Sequence, residues 1–201
     1  EPRHGLRFIL STASYLPDAL RTALQARAGV PVLEFYGLCE SGMMTAPRLP
    51  PDTAKPGTVG RIPVGELEIR GEDGLPVGPG RVGQIWLTGP SLMLGYLPSI
   101  DEPPSGLVDG WLNTGDLGKV DADGDLTVVG RTKEIINRGG EKVSPYDVEK
   151  ELLRHPAVRE AAAFGVPHPR LGESVVAAVV LHDGATATSP ELIDFLYDRL
   201  A

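Results

Sequence analysis

Three stretches of this 201-residue sequence carry residue types whose order could do chemistry. The first is Phe35-Tyr36-Gly37-Leu38-Cys39-Glu40-Ser41-Gly42, which follows an apolar run. An aromatic ring beside a glycine gives a flat face with open backbone next to it, a surface on which a planar base can stack. The Glu40 carboxylate can hold a hard cation such as Mg2+. The same residues also fit a strand end with a packing aromatic and a solvated Glu. The second stretch is Trp111-Leu112-Asn113-Thr114-Gly115-Asp116-Leu117-Gly118. Gly115 lets the backbone turn so that Asp116 faces a cleft, where a carboxylate suits the vicinal hydroxyls of a ribose. The competing reading is a plain turn in which Asp116 bonds its own backbone. The third runs from Gly130 to Pro145: Arg131 and Lys133, the apolar pair Ile135-Ile136, Asn137-Arg138, the Gly139-Gly140 turn, then Glu141-Lys142-Val143-Ser144-Pro145. Arg131 could fork onto hydroxyl or phosphate oxygens. Its ordered mixture of basic, apolar and glycine residues is more than a linker needs.

These side chains need elements to hold them. Leu6–Leu10 and Val30–Phe35 read as strands, with a helix from about Pro17 to Arg27 between them and Pro17 at the first helical position. Ser11-Thr12-Ala13-Ser14 is a small polar loop. From Gly57 to Val129 the pattern is beta-rich. Glu66–Arg70 alternates polar and apolar, Gln84–Thr88 is a second strand, and Asp121-Ala122-Asp123-Gly124 turns a hairpin between Lys119-Val120 and Leu126–Val129. After Gly130, strands and helices alternate. Ser144 is expected to cap a helix with Pro145 in its first turn and Asp147 reaching back; Val148, Leu152 and Leu153 form its buried face. Ala161–Val166 and Val175–Leu181 are apolar strands, and Ser189-Pro190 caps a last helix bearing Leu192, Leu196 and Leu200. The fold class expected is α/β in the mixed α+β sense, with a domain boundary at Arg131–Glu134.

The three stretches, in this order, resemble the adenylate-forming superfamily of acyl-CoA synthetases, peptide-synthetase adenylation domains and luciferases. The first resembles its Tyr-Gly-x-Thr-Glu motif, with Cys39 where Thr is usual. The second resembles its Thr-Gly-Asp motif. The third resembles its Gly-Arg-x-Asp/Lys hinge and following glycine loop. Gly83–Tyr96 resembles a further block, with Gln84 for a usual Glu. The resemblance implies roles. Tyr36, with Gly37, would stack on adenine, and Ala13 and Ser14, in a loop where Thr12 replaces a common Gly, would lie on the base's other side. Glu40 would bind the Mg2+ that bridges ATP phosphates. Asp116, assisted by Arg131, would hold the ribose. Lys133 would be a hinge, and Gly139 and Gly140 would line a thiol tunnel. Residues 1–130 would be the carboxyl-terminal part of a large adenylate-forming domain, beta-rich from about residue 57. Residues 131–133 would form the hinge and 134–201 part of a small carboxyl-terminal domain.

The implied reaction is AMP-forming ligation. A carboxylic acid is activated with ATP to an acyl-adenylate, then transferred to CoA or to the phosphopantetheine of an acyl carrier protein. Residues 136–145 lean toward acyl-CoA synthetases of the oxalyl-CoA synthetase-like branch. The alternatives are an adenylation domain that loads a carrier protein, a non-catalytic carrier-docking piece, and a luciferase-like oxidase. The chain opens on Glu1 rather than Met, and no family phosphate loop precedes Tyr36 or catalytic Lys follows within Ala201. The sequence therefore reads as a piece whose further partner is the rest of its parent chain, inactive alone.

Composition removes other classes. A net charge of −8 gives no bulk electrostatic hold on nucleic acid or an anionic membrane. A single cysteine excludes an internal disulfide framework. The longest apolar stretch, Val175–Leu181, is too short for a membrane span, and no signal peptide is visible, so a cytoplasmic location is expected. His4, His155, His168 and His182 are scattered without metal-site spacing.

Overall fold

The computed structural model describes residues 5–14, 16–49, 52–96 and 106–200. Contacts divide the chain into two compact units, Glu1–Val128 and Val129–Ala201.

The first unit opens with β1 (Ile9–Ser11), α1 (Asp18–Ala28) and β2 (Val32–Glu34). The two strands pair in parallel, Ile9 with Val32 through Ser11 with Glu34. Both are shorter than the apolar runs suggest, because only three rungs are shared. Pro17 sits one residue before α1 rather than at its first position. Asp18 takes that place and binds Arg21 at 2.5 Å. Gly29, at φ 67°, closes the helix by donating its N–H to the Gln25 carbonyl, as left-handed caps do. A short hairpin follows, β3 (Gly37–Leu38) with β4 (Gly42–Met43).

The beta-rich part holds β5 (Glu66–Arg70), β6 (Gly83–Thr88), β7 (Leu107–Val108), β8 (Trp111–Val120) and β9 (Leu126–Arg131) in one antiparallel sheet ordered β5-β6-β8-β7, with β9 also paired to β8. Alternation along β5 and β6 sends Ile69, Ile85 and Leu87 to one face. There they pack with Tyr36, Met44 and Leu126. Arg70 lies between two indoles, 4.4 Å from the Trp86 ring and 4.9 Å from Trp111. Arg48 and Lys55 are tied to the β8–β9 turn by charge. Lys55 Nζ lies 2.6 Å from Asp121, 2.5 Å from Asp123 and 3.3 Å from Asp125. Arg48 donates to the buried Asp125 at 2.7 Å. Among the described residues these three aspartates are the acidic trio close enough to share a cation, and the Lys55 ammonium lies among them.

In the second unit, a 3-10 turn (Thr132–Glu134) leads into β10 (Ile136–Arg138) and β11 (Glu141–Val143), then α2 (Pro145–Leu152), β12 (Val158–His168), β13 (Gly172–Leu181) and α3 (Ser189–Leu200). The sheet order is β11-β10-β13-β12; α2 packs on β12 and α3 on α2. Val148 and Leu152 are the buried residues of α2; Leu153 lies one residue past its end, as the C-cap, and is only half-buried. Two caps differ from expectation. The Ser144 hydroxyl does not cap α2; it donates to the Val129 carbonyl at 3.0 Å. For α3 the capping side chain is Thr188, not Ser189. The Thr188 N–H and hydroxyl both donate to Glu191, at 2.7 and 2.9 Å, and Thr188 Oγ1 accepts from the Glu191 N–H. That is the reciprocal capping box, and it holds the Glu191 carboxyl below its ordinary pKa.

Candidate functional site

Because β1 and β2 run parallel, their carboxyl ends deliver two loops side by side, and Phe35 N–H donates to the Ser11 carbonyl between them. Crevices at the carboxyl ends of parallel strands are where open α/β sheets bind ligands. One loop carries Ala13 and Ser14, both exposed. Ala13 has φ 76°, a left-handed conformation that costs a non-glycine residue about 1 kcal/mol or more. Nothing in the sequence marks that strain.

The other loop carries Tyr36. Its backbone is fixed on both sides: its N–H donates to Thr45 Oγ1 at 2.8 Å, and its carbonyl accepts the N–H groups of Met44 and Thr45 at 3.0 Å. Thr45 is fully buried, and its hydroxyl donates to the Val59 carbonyl at 2.6 Å. Thr45 is a site residue that sequence reasoning missed. Gly37 has a steric cause. A side chain there would place Cβ 2.2 Å from the Gly42 carbonyl oxygen across the β3–β4 hairpin.

The Thr114-Gly115-Asp116 segment is not the plain turn of the competing reading. It lies within β8 as a bulge, where pairing with β6 jumps from Gln84–Leu117 to Trp86–Asn113. Gly115 takes φ 74° at that point, and the Thr114 hydroxyl donates to the Ile85 carbonyl at 3.0 Å while accepting the Asp116 N–H. A bulge re-aims the following side chain. Asp116, 5% exposed, meets Tyr36, 9% exposed, and Tyr36 Oη donates to Asp116 Oδ2 at 2.6 Å. The two motif residues, eighty positions apart, thus form one unit.

Glu40 is half-buried and lies beside a partner that the sequence did not announce. Tyr96 Oη donates to Glu40 Oε1 at 2.7 Å, and the Met93 N–H donates to the Glu40 carbonyl at 2.7 Å. The bond to Glu40 holds the Tyr96 phenol above its usual pKa. Tyr96 ends the Gly83–Tyr96 block, which was the available signal. Cys39 is an exposed free thiol.

Arg131, Lys133, Gly139 and Gly140 belong to the second unit. Arg131 and Lys133 are exposed, Lys133 within the 3-10 turn. Gly139 and Gly140, at φ 63° and 98°, turn the β10–β11 hairpin. The Gly139 N–H donates to the Leu171 carbonyl at 2.7 Å and the Gly140 N–H to Asn137 Oδ1 at 3.0 Å.

The pattern of the AMP-binding enzyme family matches residues 1–97, and that of the AMP-binding enzyme carboxyl-terminal domain matches residues 147–201. An oxalate–CoA ligase of Arabidopsis thaliana is 41% identical over 98% of this chain, and a sulfoacetate–CoA ligase of Cupriavidus necator is 42% identical over 90%. The chain spans 38% and 36% of the length of these relatives. Among solved structures, ATP-bound MatB of Rhodopseudomonas palustris superposes with a TM-score of 0.89 at 34% identity, over 97% of this chain and 39% of that one. With both family patterns matched in order, the chain belongs to the AMP-binding, adenylate-forming enzyme family.

Proposed function

We propose that this chain is part of an AMP-forming acid–thiol ligase of the acyl-CoA synthetase type, which activates a carboxylic acid with ATP and passes it to CoA. The observation that carries the reading is the buried Tyr36–Asp116 pair. It joins an aromatic ring suited to a base and a carboxylate suited to ribose hydroxyls, beside the strained Ala13 loop. The Asp116 carboxylate can accept more than one hydrogen bond, so a sugar hydroxyl and the Tyr36 phenol are compatible partners. In this reading Ala13, Ser14, Tyr36 and Gly37 bind the base and Asp116 binds the ribose, assisted by Arg131. Residues 1–130 belong to the large domain, with Lys133 the hinge to the small domain beginning at residue 134. Gly139 and Gly140 lie along the thiol's path.

Glu40 fits a divalent cation through its chemistry. It is a half-buried carboxylate with a fixed backbone, and Mg2+ takes one or two such ligands together with phosphate oxygens and water. Mg2+, when bound, would neutralise charge on the triphosphate. The contribution of this chain's own residues is to orient nucleotide: stacking at Tyr36, hydrogen bonding at Asp116, and a fixed anionic oxygen at Glu40. CoA is favoured as thiol because the relatives carry that name; a carrier protein's phosphopantetheine has the same reactive arm. A cytoplasmic location is part of the proposal; none of the described helices is long and apolar enough to cross a membrane.

The test is a chimaera in which this chain replaces the matched segment of the Arabidopsis oxalate–CoA ligase. Acid-dependent ATP–pyrophosphate exchange is expected, and D116A should abolish most of it. A folded chimaera that binds neither ATP nor acyl-adenylate would overturn the reading.

A further inference from the structure

We propose that Tyr96 is a positioning residue for Glu40, its phenol fixing the carboxylate that faces the nucleotide's divalent cation. Three contacts bring the 89–96 segment to the 36–45 segment. Tyr96 Oη donates to Glu40 Oε1 at 2.7 Å, the Met93 N–H donates to the Glu40 carbonyl at 2.7 Å, and Ser91 Oγ lies 3.5 Å from Met44 Sδ. The phenol also has a seat. A side chain at Gly106 would place Cβ 2.7 Å from Tyr96 Cε2 and 2.8 Å from Met93 Cε. The missing side chain at Gly106 is thus what lets the ring lie where its hydroxyl reaches Glu40. A glutamate on a short hairpin turn has three side-chain torsions to order before it can ligate a cation. A bond from Tyr96 to one oxygen removes much of that freedom in advance, and preorganisation of this kind strengthens binding without adding a ligand. The phenol is a neutral donor, so it orients the carboxylate without cancelling the charge that a cation needs.

The proposal rests on the reading of Glu40 as a metal ligand, and the experiment separates the two. The full 201-residue chain is titrated with Mn2+ in the presence of ATP. Binding is read from paramagnetic broadening of the backbone amide resonances of Ser41, Gly42 and Met43. Y96F is expected to require about three- to tenfold more Mn2+ for the same broadening, the range set by loss of one hydrogen bond. Its thermal midpoint should stay in place, because the ring and its seat remain. G106A keeps the phenol but moves it off its seat, through the Cβ contact and through the strain of a side chain at φ 109°, and should weaken binding similarly. The double variant Y96F/G106A should bind no more weakly than Y96F, because both act through one contact. Y96F binding Mn2+ as tightly as the wild type, while E40Q loses the broadening, overturns the positioning role and leaves Glu40 as a ligand. A full G106A effect in the Y96F background also overturns it. Broadening that survives E40Q unchanged, or is missing from the wild type, removes the reading of Glu40 and this proposal with it.

Discussion

Replacing Tyr36 by Phe removes one oxygen and leaves the ring among Met44, Ile85 and Leu87. The lost bond is the 2.6 Å donation to Asp116, made between groups 9% and 5% exposed, so water does not restore it. A hydrogen bond to a charged acceptor contributes about 1.5–3 kcal/mol, and Y36F should destabilise the first unit by about 2 kcal/mol. The sequence has two tryptophans, Trp86 and Trp111, both in that unit. Urea unfolding followed by tryptophan fluorescence therefore reports this unit alone. With a slope of about 1–3 kcal/mol/M, the midpoint should fall by roughly 1 M. The decisive measurement is the same substitution in a D116A background, where the acceptor is already gone and the added cost of Y36F should approach zero. A Y36F loss below about 0.5 kcal/mol, or an equal loss in both backgrounds, refutes the pairing as an energetic unit.

The Lys55 clamp predicts a pH dependence. The hydrogen bond from Lys55, then that from the Asp125 N–H, holds the Asp121 carboxyl at about 2 against an ordinary 3.8. Because the folded value is the lower one, its stabilisation is complete above the ordinary value and is lost as pH falls from about 4 to about 2. K55M should move the acid limb of first-unit unfolding to higher pH; coincident limbs would contradict the clamp. In the second unit, T188A removes the capping box of α3 and should cost about 1 kcal/mol, seen as roughly fivefold faster amide hydrogen exchange along Ser189–Leu200. S189A should change that exchange little, and equal effects of the two would refute the cap assignment.

What could be read in advance was local. The alternation of Glu66–Arg70 specifies β5 because a half-buried strand has period two, and Asp121–Gly124 specifies its turn because those residues accept tight backbone angles. The bulge at Gly115 could not be read this way, because it depends on where β6 lies against β8, and register is a property of two strands. Ser144 carries the right side chain for a cap, but its hydroxyl reaches the Val129 carbonyl, and only the folded chain shows that this acceptor is near. Thr188 and Glu191 have the spacing of a capping box, but Ser189-Pro190 resembles a helix start more strongly. At the candidate site, Tyr36, Glu40 and Asp116 were legible as residue types in order. Their partners Thr45 and Tyr96 were not, since each meets its group across a chain reversal.

The separation of Tyr36 from Asp116 also has a consequence for how the chain reaches its structure. Nine consecutive rungs of β12 and β13, from Glu160–Val180 to His168–Gly172, join residues close in sequence, whereas this bond closes a loop of eighty residues. Closing a loop of that length costs about 2–3 kcal/mol more in chain entropy than closing one of a few residues. The second unit should therefore acquire its sheet early. The contact that assembles the candidate nucleotide site should form late in folding, after the β5–β9 sheet exists to present Asp116. A bond made after the transition state slows unfolding more than it speeds folding. The Tyr36–Asp116 bond accordingly sets how long the assembled site survives, more than how fast it appears.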